Sequence, residues 1–148
     1  GGFVTRRLTT ADENGFFPIH LYPASQREEE RRNEKANLVG TCDSRSSIRH
    51  PEVFDRLGVR LIESAPRGGL ILMDELGFLE NDAAAFQTAV LRALDGDTPV
   101  LAAVKPKDTP FLRAVRGHRN AELVFIDAEN RSVLAAQLLP HILRWNKE

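Results

Sequence analysis

The run Leu70-Ile71-Leu72-Met73, closed by Asp74-Glu75, constrains the fold of this chain more than any other stretch. Pro66-Arg67-Gly68-Gly69 breaks the chain just before it, so the run is too short for a helix and too uniformly apolar for a strand with one wet face. A strand covered on both faces fits, and such strands belong to parallel sheets. Residues 99–104, PVLAAV, have the same character. Between the two, Phe86, Val90, Ala93 and Leu94 form one helical stripe that Asn81 or Asp82 can cap and that ends near Gly96. A short helix is expected from about Thr109 to Arg116, then a third buried strand over residues 123–126. A last helix follows Asn130, with Val133, Leu134, Leu138, Ile142 and Trp145 close to one face and Pro140 as a kink. The alternation of strand and helix predicts an α/β fold of three layers around a mostly parallel sheet.

The first half is less regular. GGFVT at residues 1–5 and GFFPIHLY at 15–22 read as strands of a hairpin, joined through the turn residues TTADEN. Residues 27–35, REEERRNEK, carry four positive and four negative charges and read as an exposed helix or a mobile loop. NLVGT at 37–41 reads as a short strand, and residues 51–64 approach the helical period with an interruption at Gly58. A length of 148 residues with 42% hydrophobic side chains is expected to form a single domain around one core, with residues 23–50 expected as a mobile segment.

Charge and composition narrow the function classes. Twenty Lys and Arg against 21 Asp and Glu leave a net charge of -1, which gives no general attraction for nucleic acid or an anionic membrane. Neither is expected as a partner. No stretch approaches the roughly 20 apolar residues of a membrane span, and no basic-then-apolar signal opens the chain. The lone Cys42 has no partner for an intrachain disulfide or a zinc cluster, which points to a reducing, cytoplasmic setting. His20, His50, His118 and His141 are scattered without metal-ligand spacing.

Chemistry concentrates at Asp74-Glu75. In a parallel sheet, reactive side chains gather beyond the carboxyl ends of strands, and two adjacent acids there are poor candidates for the core because an unpaired buried carboxylate is costly. One can hold a hydrated Mg²⁺ while the other orients or deprotonates an attacking water. The structural alternative, that both start a turn and cap nearby backbone, fits the pattern equally.

Asp74-Glu75-Leu76-Gly77, the following Glu80, the helix with Phe86, the strand PVLAAV and Glu129-Asn130-Arg131 together resemble the small nucleoside-triphosphatases of the THEP1 type. The opening GGFVT is similar to that family's second strand. The resemblance implies a P-loop α/β core, RecA-like or kinase-like, that hydrolyses ATP, GTP and other nucleoside triphosphates with Mg²⁺. It implies Asp74 as the Walker B aspartate acting through the metal, and Glu75 as the catalytic carboxylate. Asn130 and Arg131 fall on a pair near the nucleotide. Lys105, after the second buried strand, stands where the family has basic residues.

The departure from the family is equally specific. No Gly-x-x-x-x-Gly-Lys-Ser/Thr occurs in the 148 residues, and the family's first strand, P-loop and helix have no counterpart. The loop's amides and lysine neutralise the β- and γ-phosphates, so this chain alone is expected to be inactive or very weak. The sheet is expected to compensate by direct pairing of residues 70–73 with 99–104, by a second copy of the chain, or by an N-terminal segment lying outside it. A noncatalytic relative that binds protein through an exposed sheet edge, and an unrelated α/β metallohydrolase, are the competing readings.

Overall fold

The structure is a computed structural model and describes residues 1–145. Six strands form one sheet: β1 (Gly2–Arg7), β2 (Phe17–Pro23), β3 (Leu38–Cys42), β4 (Ser47–Arg49), β5 (Ile71–Leu76) and β6 (Val100–Val104). Their order is β4-β3-β2-β1-β5-β6. β1 runs parallel to β5 and β5 to β6, whereas β1–β2, β2–β3 and β3–β4 are antiparallel. The expectation of a mostly parallel sheet is therefore corrected to a mixed one. Parallel neighbours need a crossover that carries the chain back along the sheet; short returns give antiparallel pairs. Between β1 and β2 the return is a turn in which the Asp12 carboxylate accepts the amides of Asn14 and Phe16 at 2.9 and 3.0 Å. Direct parallel pairing of β5 with β6, from Ile71 opposite Val100 to Asp74 opposite Ala103, leaves no slot between them.

Three helical segments cover one face. Residues 51–63 start as α1 (Pro51–Val53), widen to a π-helical turn over Phe54–Gly58 and finish as α2 (Val59–Glu63). The predicted interruption at Gly58 is thus accommodated within a continuous helical run. Its cause is packing: a Cβ on Gly58 would lie 2.7 Å from the Phe86 ring. Phe86 belongs to α3 (Ala84–Asp95), the crossover helix between β5 and β6. Phe3, Leu21 and Met73 from the sheet, Phe54 from the π turn and Phe111 and Leu112 from α4 (Pro110–Arg116) share its core. At the start of β1, Gly2 has φ +92, and a Cβ there would meet the Leu72 carbonyl oxygen at 1.9 Å, so only glycine permits this approach to β5.

Side chains alternate across a strand, so Val4, His20 and Tyr22 point to the opposite face, where they too are buried. The charged run covers them with short 3₁₀ turns at Glu28–Glu30 and Lys35–Asn37. The Tyr22 hydroxyl donates to Asn33, His20 Nδ1 lies 2.8 Å from Asn37 Oδ1, and the Arg31 guanidinium stands 5.3 Å from the Tyr22 ring centre.

Helix starts show local and tertiary capping side by side. Neither Asn81 nor Asp82 caps α3, as the sequence suggested. Asp82 pairs with Arg49 at 3.0 Å, and the Phe86 amide in the first turn is satisfied instead by Asp55 at 2.9 Å. Thr109 does cap α4, its hydroxyl accepting the Leu112 amide at 3.1 Å. Thr109→Ala is expected to cost about 1 kcal/mol in chemical denaturation, with Thr109→Ser retaining most of it.

The C-terminal part departs furthest from expectation. Residues 123–126 form no strand, and Phe125 is 80% exposed. Side-chain bonds have captured this backbone: Asn130 Nδ2 takes the Phe125 carbonyl at 2.8 Å and Asn130 Oδ1 the Asp127 amide at 2.8 Å. α5 (Arg131–Trp145) carries Pro140 within it and buries only Leu134, leaving its expected apolar face open. No helix among the described residues is long and apolar enough to cross a membrane.

Candidate active site

Asp74 and Glu75 are the fourth and fifth residues of β5, which continues through them to Leu76. The ladder to β6 shifts register here, with Asp74 opposite Ala103 and Leu76 opposite Val104, so Glu75 is the extra residue of an irregular step. The peptide joining the two acids is cis. From β1, the Thr5 hydroxyl donates to the Asp74 carbonyl at 3.3 Å and accepts the Glu75 amide at 3.4 Å, fixing the backbone of the pair.

Each acid faces a different cation. Arg6 Nη1 lies 2.9 Å from Asp74 Oδ2, and Lys105 Nζ lies 3.1 Å from Glu75 Oε1. Val4 pairs with Asp74, and Arg6 follows on the same face of β1, which brings its guanidinium over the carboxylate. Lys105 is held by its own amide on the Leu76 carbonyl at 2.9 Å, directly after β6. The acid side chains are 34% and 40% exposed, open to solvent at the carboxyl ends of the parallel strands β1, β5 and β6.

Glu80 stands in contrast, with 2% of its surface exposed. Its carboxylate accepts the Gly77 amide, and Gln87 Nε2 donates to the Glu80 and Asn81 carbonyls at 2.9 Å each. Burial raises its pKa to about 7 against the lowering pull of the Gly77 amide, with the nearby Glu75 carboxylate adding to the rise.

Asp74 and Glu75 therefore stand side by side, Lys105 joins Glu75, and the buried Glu80 lies near Glu75 and Lys105. Asn130 and Arg131 lie at the start of α5, where Asn130 is engaged by Phe125 and Asp127 and Arg131 is exposed. Among the described residues no hydrogen bond or ion pair joins either to the acids. Thr5 and Arg6 were not foreseen as site residues. Their only sequence signal is a position at the end of the strand GGFVT, and its register against β5 is a tertiary fact.

No group of three or more His, Cys, Asp or Glu residues converges on a metal position among the described residues. Mg²⁺ does not require one, since it keeps several waters and commonly takes one or two carboxylates together with phosphate oxygens. Asp74 fits that donor type, being partly exposed and hard in its oxygen chemistry, with one oxygen engaged by Arg6. The arrangement can hold a hydrated cation at one acid and accept a proton from water at the other.

A family model described as NTPase matches residues 1–139. The nucleoside-triphosphatase THEP1 of Thermotoga petrophila is 28% identical over 95 residues, covering 64% of this chain and 52% of that protein. The nucleoside-triphosphatase THEP1 of Thermofilum pendens is 30% identical over 96 residues, covering 63% and 53%. The chain thus spans about half the length of the curated relatives it matches. The crystal structure of THEP1 from Aquifex aeolicus superposes with a TM-score of 0.69 at 22% identity, over 99% of this chain and 83% of that one. That likeness establishes that the chain shares the α/β fold of that protein.

Proposed function

This chain belongs to the NTPase family, and on that premise we propose that it forms the metal-holding and water-activating part of a Mg²⁺-dependent site that hydrolyses ATP or GTP to the diphosphate and phosphate. The observation that carries the reading is the placement of two partly exposed acids, differently partnered, at the carboxyl end of β5. Asp74 would hold the ion. Bound there, Mg²⁺ supplies positive charge to the phosphate oxygens as charge develops on them. Glu75 accepts a hydrogen bond from the attacking water and orients it, and the Lys105 ammonium keeps its carboxylate aimed from the β6 side. Lys105, Asn130 and Arg131 are the chain's candidates for contact with the nucleotide.

The 148 residues carry no Gly-x-x-x-x-Gly-Lys-Ser/Thr, so the cradle for the phosphate chain is absent from them and hydrolysis by these residues alone is expected to be very slow. Fusing a strand, P-loop and helix from a relative ahead of Gly1 is expected to yield Mg²⁺-dependent phosphate release. Glu75→Gln should then lower kcat at least about tenfold, equivalent to about 1.4 kcal/mol of transition-state stabilisation. Unchanged turnover in that variant would remove Glu75 from the chemistry.

A second reading, a noncatalytic protein-binding relative, is favoured by the exposed apolar residues Phe125, Ile126, Val133 and Leu143. Calorimetric titration of the chain with a nonhydrolysable ATP analogue and Mg²⁺ separates the two. Micromolar binding favours the nucleotide site, and its absence favours the binding module.

A further inference from the structure

Arg6 occupies one oxygen of the carboxylate to which a cation at Asp74 would bind. Its Nη1 donates to Asp74 Oδ2 at 2.9 Å and, from the same nitrogen, to the Thr5 carbonyl at 2.8 Å. The guanidinium is therefore held over the carboxylate by its own backbone. On the other side of β5, Lys105 neutralises Glu75 at 3.1 Å. The four charges sum to zero, two positive and two negative, so the end of the strand offers little negative potential to draw in a free divalent ion. An ion entering at Asp74 either displaces Arg6 from Oδ2 or takes the other oxygen beside the guanidinium from the adjacent strand.

We propose that Arg6 is a built-in competitor for the divalent cation at Asp74, holding the free ion off the carboxylate until the guanidinium swings away. The Arg6 side chain is 49% exposed and long, so displacement needs no change in the sheet. Binding of the free ion is weakened because the carboxylate it meets already has a cationic partner. The inference rests on Asp74 as the metal residue, and the experiment below distinguishes failure of that assignment from failure of the competition.

The test is Mn²⁺ binding at fixed ionic strength, read by the electron paramagnetic resonance of the free ion. It uses the wild-type chain, Arg6→Gln, Arg6→Lys, Asp74→Asn and the Arg6→Gln/Asp74→Asn double variant, each checked by circular dichroism. Arg6→Gln should bind Mn²⁺ at least about fivefold more tightly than wild type, Arg6→Lys should stay within about twofold of wild type, and Asp74→Asn should abolish the gain in the double variant. Asp74-dependent binding that is equally tight in wild type and Arg6→Gln overturns the competition and leaves Asp74 as the metal residue. A gain in Arg6→Lys as large as in Arg6→Gln overturns the role of its charge. Binding that ignores Asp74 in every variant removes the metal assignment, and the competition with it.

Discussion

Phe86→Ala is expected to lower the unfolding free energy by about 3–5 kcal/mol, which for a domain of this size is a large share of the total. Phe86 is fully buried, and its ring centre lies 5.4 Å from that of Phe3 and 5.0 Å from that of Phe54, both in tilted pairs. It also fills the space that Gly58 leaves beside the π turn. One side chain thus joins β1, the helical run over residues 51–63 and α3. Truncation leaves a cavity that three elements would have to close together, so relaxation recovers little of the loss. Urea denaturation of the variant gives the number directly, and a cost below about 1 kcal/mol would mean that the core collapses around the gap. Phe86→Leu should lose less than half as much, because most of the volume is retained.

The parts of this structure that could be read from sequence are those fixed by neighbours along the chain. Leu70 to Met73 and PVLAAV announce β5 and β6 because uninterrupted apolar runs between breakers have few other uses. Thr109-Pro110 announces α4 because a hydroxyl cap followed by proline is a local device. Asp55 reaching the Phe86 amide is not local, and no rule of spacing would have preferred it to Asn81 or Asp82. β4 was equally silent, since Ser47-Ile48-Arg49 is short and mostly exposed and becomes a strand only by pairing with β3. Residues 123–126 erred in the other direction: their composition favours a strand, but a strand needs a partner, and Asn130 had already taken the Phe125 carbonyl. At the candidate site, the acids were visible and their partners were not. Adjacent acids after an apolar run stand out in any listing of residues, whereas Arg6 reaches Asp74 only through the β1–β5 register.

Glu80→Gln is expected to stabilise the protein at about pH 8 by about 2–3 kcal/mol and to leave its stability nearly unchanged at about pH 4. The direction follows from proton counting. An unfolded Glu80 titrates near 4.5 and the folded one near 7, so between those values the native state retains a proton that the unfolded chain has released. Stability therefore falls as pH rises through this window. Below about 4.5 both states are protonated and the carboxyl costs nothing further; above about 7 both are ionised and the full desolvation penalty, of order 3 kcal/mol, is present. The variant has no proton to lose, and its amide oxygen can still accept the Gly77 amide. Urea midpoints for both proteins across pH 4 to 8 should diverge only above about 4.5, and parallel curves would mean that the Glu80 carboxyl ionises as freely as an exposed one. The same titration reaches the site. Glu80 shares its surroundings with Glu75 and Lys105, so its ionisation near neutrality adds negative charge beside the residue proposed to activate water. In a chain fused to a P-loop segment, Glu80→Gln should accordingly flatten any change in kcat between pH 6 and 8 that wild type shows, while Glu75→Gln lowers kcat throughout.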